Sequence, residues 1–159
     1  MKLNLFENIK MTPREEHVDI YFSGMRPVIR QLIDTVNAER PSLSGRPADE
    51  DLDDGEEILL DLAEIYYLDF VDRKLFAYTG DGVYRIMKTL AECEEILWNY
   101  GFVRVSKSDL INIYKIQQLK PDLNMKVYAY FDNGERICVN RSYKKSFEEY
   151  LQRMRRVVQ

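Results

Sequence analysis

Side chains that could act in nucleophilic, acid–base or metal chemistry are few in this chain. Its 159 residues include one histidine, His17, and two cysteines, Cys93 and Cys138. His17 lies near the start of the chain, away from every cluster of candidate residues, so one chain is not expected to form a histidine-based triad, and a single histidine cannot form a two-histidine metal site. The cysteines lack the paired spacing of zinc and redox motifs. Buried or half-buried thiols in a reducing compartment are the favoured interpretation. The sequence predicts no catalytic residue, no metal and no cofactor.

Cationic side chains, which could bind anions, are concentrated towards the end of the chain. The whole sequence has 23 Lys and Arg against 27 Asp and Glu, a net charge of −4. The first 60 residues have a balance of −6, whereas the remainder has a balance of +2. Residues 101–120 contain four bases and one acid, and residues 136–159 contain seven bases and two acids. We expect phosphates to bind at these two stretches if the partner is a nucleic acid.

The first 57 residues are predicted to form an arm and a linker. Residues 17–22 are typical of a short strand, and the apolar positions of residues 27–38 have the spacing of an amphipathic helix. Residues 39–57 contain two prolines, two glycines and the acidic run ADEDLDDGEE, which indicate a solvated linker. The helix could provide a dimer face, but a helix packed on its own chain would show the same pattern.

The rest of the chain is predicted to be mostly β with short helices, in the α+β class. Aromatic, leucine and β-branched residues indicate strands between residues 56 and 87, and Asn133-Gly134 predicts a β-hairpin. Thr89 begins a predicted helix through a capping box, and Gly101 ends it. Residues 106–112 are predicted to form a short turn or helix, and Ser142 is the expected N-cap of a last helix.

Membrane and secretion signals are absent from the sequence. No apolar run approaches the roughly 18 residues that span a bilayer. The N-terminus lacks the long apolar stretch and the cleavage site of a signal peptide. We therefore expect a cytoplasmic protein that does not contact a membrane.

The order of motifs in residues 63–151 resembles the LytTR family of DNA-binding domains. The resemblance lies in EIYYLDFVDRKLFAYTGDGVYRI, TLAECEEIL, GFVRVSKSDLINIYKI and DNGERICVNRSYKKSFEEYL. It implies a ten-stranded β fold of three small sheets, which binds double-stranded DNA through loops and strand ends. The expected division is an arm and acidic linker at residues 1–57 and a LytTR-like domain at residues 58–159.

The resemblance also implies a bacterial transcription regulator that is related to response regulators. Many members carry a receiver domain in front of this module, and 60 residues are too few to hold one. We therefore expect a stand-alone regulator. The acidic residues 49–54 are interpreted as part of the linker and not as a phosphorylation site.

Base-contacting side chains are implied on three segments. They correspond here to Arg73 and Lys74, to Ser106, Lys107 and Ser108, and to Arg141. Arg141 is the strongest candidate, because a guanidinium can pair with both O6 and N7 of guanine. Ser106 and Ser108 could instead cap the following turn.

Four further residues of the motif are candidate DNA contacts: Asn112, Tyr143, Lys144 and Lys145. For Asn112 a structural role, satisfying buried backbone groups, is the favoured interpretation. Tyr143 suits the core or a contact with the DNA backbone. The two lysines are candidates for phosphate contacts, although a helix side that faces water would look the same.

The expected partner is double-stranded DNA, and a homodimer is left open. The alternative is a protein-interaction or small-ligand-binding module without DNA contact, which would suit the acidic arm. Duplex binding that weakens steeply with salt would distinguish the two, because it reports the release of counterions from phosphates.

Overall fold

The chain divides into two compact units, Met1–Arg40 and Pro41–Gln159. The structure is a computed structural model that describes residues 27, 29, 42–48 and 56–157. In the first unit Pro27 and Ile29 are both helical. The predicted strand at residues 17–22 and the rest of the predicted helix lie outside the described residues.

Ten strands, two α-helices and three short 3-10 helices make up the described part of the second unit. The prediction of a mostly β fold with short helices is therefore confirmed. The strands are β1 (Leu43–Pro47), β2 (Ile58–Leu60), β3 (Ile65–Val71), β4 (Lys74–Thr79), β5 (Val83–Ile86), β6 (Phe102–Arg104), β7 (Asp109–Asn112), β8 (Ile116–Pro121), β9 (Val127–Phe131) and β10 (Arg136–Val139). The helices are α1 (Leu90–Leu97), α2 (Arg141–Val157), η1 (Leu62–Glu64), η2 (Trp98–Tyr100) and η3 (Ile113–Lys115).

The strands form antiparallel sheets of seven and three strands. The larger sheet has the order β2-β1-β5-β4-β3-β7-β6, and the smaller one has the order β10-β9-β8. Strand β1 is shared by two ladders, because Leu43 and its neighbours pair with β2 whereas Arg46 and Pro47 pair with β5. The seven-stranded sheet thus consists of a two-stranded sheet, β2-β1, and a six-stranded sheet, β1-β5-β4-β3-β7-β6, which are joined through β1. The three-stranded sheet is the third.

Strand β1 shows that the linker prediction is wrong for part of residues 39–57. Leu43 is fully buried, and Arg46 pairs with Arg85 of β5. The segment LSGRP was not recognised as a strand because serine, glycine and proline are typical of turns, and its pairing partner lies far along the chain. The compact unit begins at Pro41, before the boundary expected at residue 58.

Two apolar clusters cover the two faces of the larger sheet. Phe102 of β6 and Leu110 of β7 belong to the cluster that contains α1. Val103 and Ile111, their neighbours along the chain, belong to the cluster that contains β9, β10 and α2. Since successive side chains of a strand point to opposite faces, β6 and β7 are covered on both sides.

The predicted start of α1 is confirmed, whereas α1 itself ends at Leu97 and Gly101 ends the 3-10 helix η2 that follows it. The Thr89 hydroxyl accepts a hydrogen bond from the Glu92 backbone N–H at 3.2 Å, and the Glu92 carboxylate accepts one from the Thr89 N–H at 2.7 Å. The pKa of Glu92 is lowered because both the Thr89 N–H and the Thr89 hydroxyl donate hydrogen bonds to its carboxylate. Beyond η2, Gly101 has the left-handed φ of 91° that ends many helices.

Two local predictions need correction. Residues 106–108 form the expected turn, but Asp109–Asn112 is strand β7 because it lies between β3 and β6 in the sheet. Helix α2 begins at Arg141, so Ser142 lies within its first turn and is not the N-cap.

Candidate nucleic-acid interface

Five described segments lie at the same end of the two sheets, and we call this row the loop edge. They are the β3–β4 turn at residues 72–73, the β5–α1 connection at 87–89, the β6–β7 loop at 105–108, the β8–β9 loop at 122–126 and the β10–α2 junction at 140–141. The antiparallel register places them there, since Asp69 pairs with Asp109, Leu75 with Ile86, and Val127 with Val139.

Two backbone hydrogen bonds join neighbouring segments of the loop edge. The Phe70 N–H donates to the Ser108 carbonyl at 2.9 Å, which links the end of β3 to the β6–β7 loop. The Asn140 N–H donates to the Val105 carbonyl at 2.9 Å, which links the start of α2 to the same loop. The three segments on which base contacts were predicted therefore come together.

Arg73 lies at the tip of a strained two-residue turn. Asp72 and Arg73 have φ of 50° and 63°, and Val71 pairs directly with Lys74. Positive φ at both central residues is typical of the type I′ turn, which favours Asn-Gly. The Arg73 and Lys74 side chains are both exposed.

Ser106 organises the β6–β7 loop. Its side chain is buried, and its hydroxyl oxygen accepts hydrogen bonds from the backbone N–H groups of Ser108 at 3.0 Å and Asp109 at 2.9 Å. The same hydroxyl donates to the Asp109 carboxylate, to which Ser108 also donates at 3.2 Å. Both serines therefore hold the loop together, and Lys107 between them is exposed.

Arg104 also holds this loop, although it was not among the site residues predicted from the sequence. Its guanidinium donates to the carbonyl oxygens of Ser106 at 3.2 Å and Lys107 at 2.7 Å. It also forms an ion pair with Glu94 of α1 at 3.0 Å. The signals in the sequence were a basic residue within an apolar strand and its place among the bases of residues 101–120.

A groove of about 470 Å³ lies beside the β3–β4 turn and the β5–α1 connection. No acidic residue is among the described residues that line it. Its basic lining residues are Arg73, Lys74, Arg85, Lys88, Arg104 and Lys107. Arg85 and Lys88 were not predicted, because only the pairing of β4 with β5 brings them beside Lys74. Six cations around one concave surface favour a polyanionic ligand.

The first turn of α2 adds further cations to the loop edge. Arg141 is the first helical residue and is exposed, as is Lys145. Lys144 lies 4.0 Å from Glu148. Tyr143 is half-buried against the second apolar cluster, so only part of its side chain faces outward. The N-terminus of a helix also attracts anions through its backbone N–H groups.

Asn112 is an internal structural residue. It is 2% exposed, its amide donates to the carbonyl oxygens of Ile65 at 2.9 Å and Leu62 at 3.3 Å, and its side-chain oxygen accepts from the Tyr114 N–H at 3.0 Å. These bonds satisfy backbone groups around η1 and η3. We therefore remove Asn112 from the candidate DNA contacts, in agreement with the favoured interpretation of its sequence context.

Two carboxylates oppose each other beside the β6–β7 loop. Asp69 and Asp109 are directly paired across β3 and β7. Burial raises the pKa of Asp69, and the neighbouring Asp109 raises it further, while a hydrogen bond from Ser108 acts in the opposite direction. The pair therefore favours a protonated Asp69 more than an isolated surface aspartate would.

The described residues offer little for other chemistry. Burial raises the pKa of the Cys93 thiol to about 11, which keeps it protonated and unreactive. Within those residues no group of three or more His, Cys, Asp or Glu side chains could hold a metal ion. The helices in this part of the chain are too short or too polar to cross a membrane.

Comparison with known proteins identifies similar sequences and a similar fold. The family model of the LytTr DNA-binding domain matches residues 55–152. A Bacillus cereus structure, described as the LytTr DNA-binding domain of a methyl-accepting/DNA response regulator, matches with a TM-score of 0.62 and 25% identity. The match covers 70% of this chain and 97% of that one.

Full-length relatives occur in Staphylococcus aureus. An uncharacterized HTH-type transcriptional regulator of strain MSSA476 is 28% identical over 153 residues, and its counterpart in strain MRSA252 is 27% identical. Each alignment covers 95% of this chain and 98% of the relative. In residues 56–157 of this chain, five strands separate α1 from α2, so these two helices do not form a helix-turn-helix.

Proposed function

Because this chain belongs to the LytTr DNA-binding domain family, it is a DNA-binding transcription regulator, and we propose that the loop edge is its DNA-contacting surface. The observation that carries the proposal is the groove with six cations at this edge, beside the cationic first turn of α2. The edge is formed by strand ends and turns, so base recognition does not require a helix in the major groove.

We assign base recognition to three exposed side chains, one on each of the three segments that the backbone hydrogen bonds bring together. Arg73, Lys107 and Arg141 each project from a backbone that neighbouring bonds hold in place. Arg141 carries most of the discrimination, because its guanidinium can make two hydrogen bonds to one guanine. Lys74, Arg85, Lys88, Lys144 and Lys145 serve phosphates in this proposal, since they lie beside the turns or within the groove.

Substitutions at Arg141 and Lys145 separate base recognition from phosphate binding. Arg141→Ala removes a base contact worth about 1–3 kcal/mol, so affinity for the cognate duplex falls by about 5- to 150-fold while scrambled duplex is affected much less. Lys145→Ala weakens both duplexes alike and lowers the salt slope by about one, because one phosphate contact is lost.

Fluorescence anisotropy on cognate and scrambled duplexes across a salt series measures both effects, after a genomic pull-down has identified the cognate site. Circular dichroism controls for folding. An unchanged cognate-to-scrambled ratio in Arg141→Ala would mean that Arg141 is a surface arginine, and the assignment of the recognition surface would fail.

The proposal extends to location and assembly. The regulator acts in the cytoplasm, without a catalytic role and without membrane contact, as a homodimer on paired sites, because small regulators commonly match a two-fold axis to a repeated operator. Analytical ultracentrifugation of the full chain with and without operator tests the dimer. A single monomer on a complete operator would refute it.

A further inference from the structure

The β8–β9 loop, residues 122–126, is a part of the loop edge that the family resemblance did not assign to DNA. Pro121 pairs with Val127, and Val127 pairs with Val139, the residue before the β10–α2 junction. Neighbouring strands are about 4.8 Å apart, so the loop begins roughly 5–10 Å from Asn140. At about 3.4 Å per nucleotide step, this distance corresponds to two or three base pairs.

The loop exposes two large apolar side chains. Leu123 is 101% exposed, and Met125 is 60% exposed. The Asp122 carboxylate accepts a hydrogen bond from the Leu123 N–H at 2.6 Å, which satisfies part of its hydrogen-bonding capacity within the loop. Lys126 at the end of the loop is exposed. The surface is therefore an apolar tip with a cation beside it.

Met125 also occupies a backbone position that favours glycine. Its φ is 61°, and its N–H donates to the Asp122 carbonyl while the Asp122 N–H donates to the Lys126 carbonyl. The β9–β10 loop at the opposite end of the sheet makes the same two bonds around Phe131 and Glu135, but has Gly134 at the matching position. The two turns thus have the same hydrogen bonds, but the turn at the opposite end of the sheet has a glycine at this position and the turn at the loop edge has a strained methionine.

We propose that Leu123 and Met125 contact duplex DNA two to three base pairs outside the base read by Arg141, with Lys126 at the adjacent phosphate. A left-handed non-glycine residue and a fully exposed leucine are both unfavourable in the free protein. Apolar side chains gain on contact with thymine methyl groups or with unstacked base steps. The inference rests on the proposed function, because it uses the loop edge as the DNA surface.

The variant Met125→Gly tests the inference, because it removes the side chain and suits the turn. We expect an unchanged or higher midpoint of thermal unfolding, together with a loss of affinity for the cognate duplex of about threefold to tenfold. Leu123→Ser should have a similar effect on affinity. Asn133→Ser, in the loop at the opposite end of the sheet, is the matched control and should leave affinity unchanged.

Duplexes of two lengths sharpen the test. The shorter duplex lacks the flanking base pairs beyond the Arg141 position, so the affinity of wild type for it should be lower than for the long duplex. On this shorter duplex, wild type and Met125→Gly should bind with nearly equal dissociation constants. An affinity of Met125→Gly equal to that of wild type on the long duplex would overturn the inference and would indicate a protein partner for the loop. The Arg141→Ala result on the same duplexes distinguishes this failure from a failure of the proposed function.

Discussion

Arg104 should be a positioning residue for Lys107. Replacement of Arg104 distinguishes the effect of the loop geometry on DNA binding from the effect of the positive charge. The guanidinium of Arg104 spans two loop carbonyl oxygens and the Glu94 carboxylate. A lysine ammonium keeps the charge but cannot reproduce this planar arrangement of donors. Arg104→Lys should therefore release the β6–β7 loop and leave the positive charge of the groove intact.

The stability cost follows from the three contacts. Two hydrogen bonds at this partly exposed site contribute about 1 kcal/mol each, and the ion pair with Glu94 adds about 0–1 kcal/mol. Arg104→Met should then cost about 2–3 kcal/mol, which lowers the midpoint of thermal unfolding by roughly 6–15 °C. Arg104→Lys should cost less, since one contact can be kept.

The binding assay compares Arg104→Lys, Lys107→Ala and the double variant. Each single variant should lower the cognate-to-scrambled affinity ratio by about 5-fold or more, because both lose the same base contact. The double variant should show no further loss. The salt slope of Arg104→Lys should equal that of wild type. Additive losses in the double variant, or a wild-type ratio in Arg104→Lys, would refute the positioning role.

Two further predictions concern folding. The fragment Pro41–Gln159 should unfold cooperatively, whereas a fragment that starts at Asp61 lacks β1 and β2 and should not. Leu43→Ala in the full chain should lower the free energy of unfolding, measured in urea, by about 2–5 kcal/mol. Asp69→Asn should raise stability at neutral pH, because the raised pKa of Asp69 means that ionisation opposes folding. That advantage should shrink as the pH falls through the raised pKa of Asp69 and should be lost below the ordinary value of 3.8. A constant advantage at all pH values would exclude the ionisation of Asp69 as its cause.

Local signals were sufficient to predict several elements of this fold. The capping box at Thr89 and the end of the helical segment at Gly101 depend on bonds within a few residues, and both are confirmed. The hairpin at Asn133-Gly134 is also present, with a three-residue loop in which only Gly134 has positive φ. By contrast, β1 and β7 exist because distant strands pair with them, and no short pattern in the sequence contains that information.

The candidate interface was predictable only in part for the same reason. The exposed residues Arg73, Lys107 and Arg141 were found through the family resemblance, and the structure brings their segments together. Arg85 and Lys88 reach the groove through the register of β4 with β5, which the sequence does not specify. Asn112 lies in the same motif as the candidate contacts, yet its burial makes it a support of the fold.

Along the loop edge, the residues that hold the backbone in place are different from the exposed residues that are proposed to contact bases. This difference affects how the operator preference can change. Ser106 and Arg104 hold the β6–β7 backbone from within, and Lys107, the residue after Ser106, is exposed and belongs to neither apolar cluster. Arg73 and Arg141 are likewise outside both clusters. Exchange of these three side chains should therefore retarget the regulator to another operator with little penalty in folding, which makes the scaffold suitable for engineered repressors.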